Sequence, residues 1–386
     1  MRRRIAILGS TGSVGCNALR LIGEMPDMFE VVGLTTNVNI SLLEEQVDKW
    51  RPRIIAVVDE KKCSELASAI NCQETKVVPG LDGIVEVATF KDVDVVLSAT
   101  VGASGLMPVM SAIKAGKQLA VASKEPVVIA GKLLMDEVER RGTVLIPVDS
   151  EPNAIFQCLE GRKEESVKRI FITASGGPFR GLNKEEMAKV TPEEALAHPV
   201  WKMGRKISVD SATMINKGLE VIEAHNLFGI PFSSIHVLIH LEAKVHSMVE
   251  FIDGTVLAVM GVTDMRIPIQ HALTYPERVP TPLEPIDFFK IPPLTFESPD
   301  LDKFPGLRYG YEAGRAGGTM PAILNAANEV AVEAFLERKI GFLDITSLCH
   351  QVMEKHDVKP DPDLEEILDA DHWARDEAQQ LIQGKG

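Results

Sequence analysis

The stretch that decides the fold is RIAILGSTGSVGCNALRLI, which runs from residue 4 to residue 22. It predicts a buried strand over residues 4–8, a turn with glycines at positions 9, 12 and 15, and then a helix. Glycines in such a turn let the backbone bend sharply and approach a ligand, while the amides at the helix start bind a pyrophosphate. The stretch therefore indicates a dinucleotide-binding domain, with an ordinary tight turn as the alternative.

Further strands continue this pattern along the first half of the chain. Apolar runs rich in β-branched residues alternate with helical stretches, at residues 29–34, 54–58, 93–99 and 118–122. Such an alternation predicts a parallel sheet covered on both faces by helices. The fold class is therefore α/β, with a Rossmann-like first domain.

The end of the second predicted strand bears on the choice of cofactor. An NAD site normally has an acidic residue there to bind the ribose 2′-hydroxyl, whereas this chain has neutral residues through Asn37 and Asn39. This favours NADP. The segment Ser123-Lys124-Glu125 follows another strand end and faces the same crevice, although position alone leaves Lys124 open between a site residue and a solvated loop lysine.

Two acidic residues close the apolar run VLIPVDSE at residues 144–151. In an extended segment the side chains of Asp149 and Glu151 point the same way, so they can share one hard cation, with Ser150 turned elsewhere. The alternative is that Asp149 only caps the following helix. A pair of carboxylates favours the metal site.

A loop and a candidate lid follow the strand predicted at residues 169–174. Ser175 and the small residues after it can present a hydroxyl and backbone amides to an anion, although Gly-Gly-Pro is also a common loop sequence. The lid covers about residues 175–206. Within it, Trp201 and Met203 between Gly and Pro residues suggest a segment that closes on a ligand, while Trp201 as a core anchor stays open.

The densest polar cluster lies on a predicted helix that Asp210 or Ser211 would cap. Asn216, Lys217 and Glu220 fall at spacings of three and four among apolar residues, which puts them on one largely buried face. The alternative is a Lys217–Glu220 pair on a solvated face. Glu220 would add a third oxygen ligand to Asp149 and Glu151, and three carboxylates suit Mg²⁺ or Mn²⁺.

Composition excludes some classes of function. The chain has 386 residues, 45% of them hydrophobic, which allows two or three domains. A net charge of −14 argues against an extended nucleic-acid surface. Apolar runs are too short for a signal peptide or a membrane span, and the five scattered cysteines are typical of reduced thiols, so we expect a cytoplasmic protein without a membrane partner.

Many stretches along the chain resemble those of the 1-deoxy-D-xylulose 5-phosphate reductoisomerases. They are residues 9–15, 147–151, 175–180, 198–214, 216–220, 316–321 and 325–329. The resemblance implies a homodimeric enzyme of the non-mevalonate isoprenoid pathway that converts 1-deoxy-D-xylulose 5-phosphate, a sugar phosphate, to 2-C-methyl-D-erythritol 4-phosphate. It also implies NADPH and a divalent metal, Mg²⁺ or Mn²⁺, with Co²⁺ as a third candidate.

By matching position, the resemblance implies roles for individual residues. Metal ligands would be Asp149, Glu151 and Glu220, which with Lys124 make up the catalytic set. Substrate contacts would come from Ser150, Glu151, Ser175, His198, Ser211, Asn216, Lys217 and Glu220, with Ser150 and Lys124 on the reacting part of the substrate. Cofactor contacts would come from Thr11, Gly12, Ser13, Val14, Asn37, Asn39, Ser123, Glu125 and Gly204.

The resemblance also implies four parts of the chain. These are an NADPH-binding domain at residues 1–149, a catalytic and dimerisation α/β domain at 150–274, a linker at 275–305 and a C-terminal helical domain at 306–386. The linker is indicated independently by the density of prolines between residues 276 and 305, which is incompatible with a regular helix or a central strand.

The chain departs from the common family pattern at Ser123 and Pro126, at residues 241–243, and at Asn37 in place of a glycine. Two other functions remain open on the residues alone. One is an NADP-dependent dehydrogenase that acts on another phosphorylated substrate, and the other is a non-catalytic NADP-binding sensor.

Overall fold

The computed structural model describes residues 2–70, 74–197, 201 and 203–384, with residue 164 described by its backbone alone. The chain forms two compact units. The first comprises Met1–Pro126, Leu134–Ser150 and Asp264–Glu284, and the second comprises Val127–Leu133, Glu151–Thr263 and Pro285–Gly386.

A seven-stranded sheet organises the first unit, and all of its strands run parallel. Its strands are β1 (Arg3–Leu8), β2 (Phe29–Thr36), β3 (Ile54–Val57), β4 (Lys76–Pro79), β5 (Val95–Ser98), β6 (Gln118–Val121) and β7 (Leu145–Pro147). Their order across the sheet is β4-β3-β2-β1-β5-β6-β7. Ile5, Ile7 and Leu8 are completely buried, as expected for a central strand covered on both faces. The predicted Rossmann-like α/β fold is confirmed.

Helices connect these strands, as parallel pairing requires. They are α1 (Ser13–Glu24), α2 (Ile40–Trp50), α3 (Glu60–Ala69), α4 (Gly80–Thr89), α5 (Leu106–Lys114) and α6 (Glu125–Arg141). Pro126 lies in the first turn of α6, where a missing amide hydrogen breaks no helical hydrogen bond. The departure from the family at Pro126 is therefore accommodated without loss of helix.

The second unit contains a mixed four-stranded sheet of order β11-β10-β8-β9. Its strands are β8 (Val167–Ala174), β9 (Ile235–Ile239), β10 (Val245–Phe251) and β11 (Val256–Met260). The helices on this part of the chain are α7 (Ser150–Leu159), α8 (Lys184–Met187), α9 (Pro192–Leu196), α10 (Arg205–Thr213) and α11 (Ile215–Phe228).

The remaining helices follow in sequence. They are α12 (Arg266–Thr274), which belongs to the first unit, and α13 (Pro305–Ala316), α14 (Met320–Leu336), α15 (Phe342–Lys355) and α16 (Leu364–Gln383) in the second. Residues 275–304 contain no helix and only one isolated bridge, between Ile239 and Glu297, which agrees with the prediction from proline density. Within the described ranges, no helix combines the length and the apolar character needed to cross a bilayer.

Two local predictions were wrong. Glu151 does not continue the strand, because β7 ends at Pro147 and α7 begins at Ser150, so Glu151 lies in the first turn of a helix. Asp210 and Ser211 do not cap the helix that carries Glu220. They lie inside α10, and α11 begins after Met214, whose positive φ of 61° breaks the helical path. Periodicity did not reveal the break at Met214, because one left-handed residue leaves the apolar spacing almost unaltered.

Candidate active site

The glycine-rich turn between β1 and α1 is shaped by close backbone approach. A Cβ atom on Gly15 would lie 2.4 Å from the Gly9 carbonyl oxygen, and Gly9 itself has a φ of 83°. Gly12 is the N-cap of α1 and makes no side-chain cap hydrogen bond, and both Gly12 and Ser13 are exposed. Uncapped amides at an exposed helix start fit a diphosphate group.

The ends of β1 and β2 meet beside this turn. The hydroxyl oxygens of Thr11 and Thr36 lie 2.6 Å apart, and the Gly9 amide donates to the Thr35 hydroxyl at 2.9 Å. Asn37 is exposed beyond the end of β2, while the Asn39 side chain caps α2 by accepting from the Leu42 amide at 3.3 Å. Asn39 thus has a structural role as the N-cap of α2.

The segment Ser123-Lys124-Glu125 joins β6 to α6, and all three residues are at least nine-tenths buried. The Lys124 ammonium forms an ion pair with Asp149. The Ser123 hydroxyl lies 3.4 Å from that of Ser98, at the neighbouring strand end. Lys124 is therefore not a solvated loop lysine, which resolves the alternative left open by its position.

Three carboxylates come together where β7 passes into α7. Asp149, Glu151 and Glu220 each offer a ligand atom, and these atoms all lie within 4.8 Å of one another. Asp149 reaches the cluster from the residue before α7, Glu151 from its first turn, and Glu220 from α11. Oxygen donors in such a group suit a hard divalent cation.

Glu220 is held by two neighbours on its own helix. Lys217 donates to Glu220 Oε2 and to Glu151 Oε1, both at 2.6 Å, and Asn216 donates to Glu220 Oε1 at 2.6 Å. The side chain of Glu220 is 1% exposed and that of Lys217 8%. The alternative of a Lys217–Glu220 pair on a solvated face is therefore wrong. Both side chains are buried, so their charges are compensated by each other and by neighbouring side chains and not by water.

The loop that follows β8 approaches the end of α10. Gly177 has a φ of 69°, and a Cβ atom there would lie 2.9 Å from the Ser211 carbonyl oxygen. The Ser175 hydroxyl accepts from the Gly177 amide at 3.4 Å, a long contact. The loop that carries Ser175 therefore packs against the backbone of Ser211. The two serines predicted to bind the anion lie on segments that contact each other.

The predicted lid contains two short helices, α8 and α9, each with a capping box. The Trp201 ring centroid lies 6.3 Å from that of His246, whose pKa is lowered by burial against a smaller opposing effect of the Glu151 charge. Met203 is half-buried and Gly204 is exposed as the N-cap of α10. His198 lies outside the described residues.

The departure at residues 241–243 has a clear structural context. His240 is 1% exposed, and its Nε2 accepts the Lys244 and Val245 amides, both at 3.1 Å. Glu242 accepts from the Thr295 amide at 3.0 Å and from its hydroxyl at 2.8 Å. The altered segment therefore forms the tight connection between β9 and β10 and holds Thr295 of the linker region.

The structure adds residues that the sequence analysis did not single out. Thr36 contacts Thr11, and adjacency of β1 and β2 in a doubly wound sheet would have been a signal for it. Asn328 donates to Asp210 from 118 positions along the chain, and no local pattern indicates such a partner.

Comparisons with known proteins identify a family. Family models match residues 5–131, described as 1-deoxy-D-xylulose 5-phosphate reductoisomerase, residues 145–228, described as the C-terminal domain of that protein, and residues 260–377, described as the DXP reductoisomerase C-terminal domain. A 1-deoxy-D-xylulose 5-phosphate reductoisomerase from Pelodictyon phaeoclathratiforme is 49% identical over 380 residues, covering 98% of this chain and 100% of the relative. One from Bacillus cereus is 48% identical over 382 residues, covering 99% of each.

Solved structures agree. The reductoisomerase from Zymomonas mobilis in complex with NADPH is 42% identical, with a TM-score of 0.92 over 99% of both chains. A crystal structure of DOX-P reductoisomerase in complex with NADPH, fosmidomycin and magnesium is 37% identical, with a TM-score of 0.94 over 99% of this chain and 98% of the other. These similarities do not favour either the dehydrogenase on another substrate or the non-catalytic sensor.

Proposed function

The chain belongs to the 1-deoxy-D-xylulose 5-phosphate reductoisomerase family, and from this premise we propose that it converts 1-deoxy-D-xylulose 5-phosphate to 2-C-methyl-D-erythritol 4-phosphate, using NADPH and a divalent metal ion. One observation carries the proposal beyond family membership. Asp149, Glu151 and Glu220 offer three carboxylate ligand atoms within 4.8 Å of one another, and oxygen donors of this kind suit Mg²⁺.

In the proposed metal site, Asp149, Glu151 and Glu220 hold the ion. When bound, the ion supplies Lewis-acid stabilisation of negative charge on substrate oxygens. Asn216 and Lys217 each donate to one oxygen of Glu220, so they orient this carboxylate, as partners outside the ligand set do in metal sites. Lys124 does the same for Asp149. Mg²⁺ is the first candidate, since a related structure contains magnesium, and Mn²⁺ and Co²⁺ are the others.

In the proposed cofactor site, NADPH supplies the hydride for the reduction. The fit rests on the glycine turn, where side chains are excluded and the amides of Gly12, Ser13 and Val14 open α1. Thr11, Asn37 and Asn39 would contact the ribose end, where the absence of an acidic residue suits a 2′-phosphate. Ser123, Glu125 and Gly204 complete the proposed contacts.

For the substrate, we assign the phosphate to Ser175, Ser211, Asn216 and Lys217, together with His198. Lys217 has the positive charge that a phosphate requires. Ser150 and Lys124 would contact the part of the substrate that reacts. Trp201 and Met203 belong to a lid over about residues 175–206, which would exclude water during the rearrangement.

The broader assignments are also proposals. Along the sequence, we assign residues 1–149 to the NADPH domain, 150–274 to the catalytic domain, 275–305 to the linker and 306–386 to the C-terminal helical domain, although α12 packs in the first compact unit. We propose a homodimer in the cytoplasm. Support for self-association comes from β11, the edge strand of the second sheet, where Val256 is 48% exposed, and from the adjacent Ile252, which is 69% exposed.

A direct assay tests the proposal. Purified protein is mixed with NADPH, Mg²⁺ or Mn²⁺ and 1-deoxy-D-xylulose 5-phosphate, and the nicotinamide absorbance is followed while the product is identified by mass spectrometry. We expect NADPH oxidation that needs both the metal and the sugar phosphate. Protein that binds NADPH but leaves it unoxidised under all these conditions would sink the proposal.

A further inference from the structure

Helix α10 carries Ser211, and the interactions within this helix are too few to fix its position. It has nine residues, its N-cap Gly204 makes no side-chain cap hydrogen bond, and it ends at the left-handed residue Met214. Helices this short are marginally stable without tertiary contacts. The position of Ser211 must therefore be set by contacts from other elements.

Asp210 makes a buried polar contact between α10 and another helix. Its side chain is 3% exposed, and its two oxygens accept from Lys206 Nζ and Asn328 Nδ2, each at 2.8 Å. A buried carboxylate needs such donors. Lys206 lies on α10 itself, so among the described residues Asn328 of α14 is the donor to Asp210 from outside the helix.

Asn328 is an unusual residue for a purely structural position. It is completely buried, and its Oδ1 has no hydrogen-bond partner in the described part of the chain. An unpaired buried amide oxygen lowers stability, so the feature that favours asparagine here is its amide group, which donates to Asp210. This hydrogen bond both satisfies the buried Asp210 carboxylate and fixes its position.

A shift of α10 would reach the substrate-binding loop directly. Ser211 follows Asp210 in sequence, and its carbonyl oxygen faces Gly177, where an added Cβ would lie only 2.9 Å away. Gly177 is two residues from Ser175. Because the loop and α10 are in close contact, a rotation of α10 would change the position of the Ser211 hydroxyl relative to the Ser175 hydroxyl.

We infer that Asn328 is a positioning residue, whose hydrogen bond to Asp210 fixes the rotation of α10 and so directs Ser211 toward the phosphate of the substrate. The inference rests on the proposed function, in which Ser211 binds that phosphate. The inference means that α14 influences substrate binding without contacting the substrate.

The test compares Asn328→Leu with Asn325→Leu. Asn325 lies three residues earlier on α14, is equally buried and also has an unpartnered Oδ1 among the described residues, but its amide donates to Glu329 at 3.0 Å. We expect Asn328→Leu to raise KM for the sugar phosphate about tenfold, with kcat and KM for NADPH little changed. Asn325→Leu should leave both KM values unchanged. If Asn328→Leu does not fold, Asn328→Ala is judged by the same criteria.

Two further measurements separate positioning from general destabilisation. The double variant Asp210→Ala, Asn328→Leu should raise KM no more than the larger single effect, because each change removes one end of the same hydrogen bond. Amide hydrogen exchange in residues 205–213, measured without substrate, should accelerate in Asn328→Leu and not in Asn325→Leu. An unchanged KM in the Asn328 variant, an equal rise in the Asn325 variant or additive effects in the double variant would overturn the inference. If the unaltered protein fails to turn over the sugar phosphate, the proposed function fails, and the exchange measurement still decides whether Asn328 holds α10.

Discussion

Individual buried charges explain most of the candidate site. Lys217 donates to Glu151 and Glu220, and both carboxylates also belong to the cluster proposed to hold a metal. A buried lysine between two acids balances part of their charge. The same side chains are the ones that we propose to bind the divalent cation and the anionic substrate.

Replacing Glu220 with Gln should abolish metal dependence. The substitution preserves shape and removes one ligand charge, so we expect kcat to fall at least about a hundredfold, because a catalytic metal contributes several kcal/mol. We expect Mg²⁺ to raise the melting temperature of the unaltered protein and not that of the variant. Glu223→Gln is the matched control, since Glu223 lies on the same helix and is 1% exposed. Full activity in the Glu220 variant would contradict the ligand assignment.

His271 predicts a pH dependence of stability. Burial, with a smaller effect of the Arg278 charge, lowers its pKa to about 4. The unfolded chain binds a proton near the ordinary pKa of about 6.5, so the folded state binds fewer protons between these values. The contribution of a neutral His271 is therefore complete above about pH 6.5 and is lost as pH falls toward 4, by an amount of the order of 2 kcal/mol.

The His271→Leu variant tests this sign. Its melting temperature should decline less steeply between pH 6.5 and pH 4 than that of the unaltered protein, since Leu takes up no proton in either state. Parallel declines in the two proteins would show that the His271 pKa is not depressed by burial.

At the scale of elements, the shape of the proposed cofactor site depends on how closely α1 packs against the glycine turn that precedes it. The helix begins at Ser13, directly after Gly12, and Gly15 packs against the backbone of Gly9 and Ser10. A comparable approach joins α11 to α13, where a Cβ on Gly310 would lie 2.2 Å from the Gly218 Cα. In both places a glycine lets two backbones meet beside residues proposed to bind ligands.

Gly15→Ala should weaken NADPH binding. The added methyl group would lie 2.4 Å from the Gly9 carbonyl oxygen, so the turn must move away from α1. We expect the Kd for NADPH, measured by nicotinamide fluorescence, to rise at least about tenfold, equivalent to about 1.4 kcal/mol. Gly23→Ala, in the same helix, is the control, because its Cβ would meet Trp50 at an ordinary 3.4 Å. Equal affinities in the two variants would count against the turn as the cofactor site.

At the scale of the whole molecule, each of the two units has its own sheet. The first provides the glycine turn and Lys124, and the second provides Lys217, Glu220 and the serine-bearing segments. The C-terminal helices pack within the second unit, where α14 contacts α15 and α16 extensively and α13 contacts α11. The family models match residues 5–131, 145–228 and 260–377, so they cover parts of both units.

The proposed homodimer leads to a prediction about β11. Val256→Arg places a charge on the exposed edge strand, so we expect sedimentation velocity to show a shift from dimer toward monomer at a given protein concentration. Leu81→Arg is the control, because Leu81 is similarly exposed, at 53%, but lies on α4 in the first unit. A dimer unaffected by Val256→Arg would place the interface elsewhere.

The sequence by itself determined the parallel sheet, the glycine turn and the grouping of Asn216, Lys217 and Glu220 on one helix face. These features depend on local periodicity and on residue types with strong conformational preferences, so they can be read directly from the chain. Only the tertiary structure decided that Glu151 belongs to a helix, that Met214 separates α10 from α11, and that Asn328 reaches Asp210. The physical reason is that Lys217 and Glu151 meet across 66 positions, and Asn328 and Asp210 across 118, through packing that no local pattern encodes.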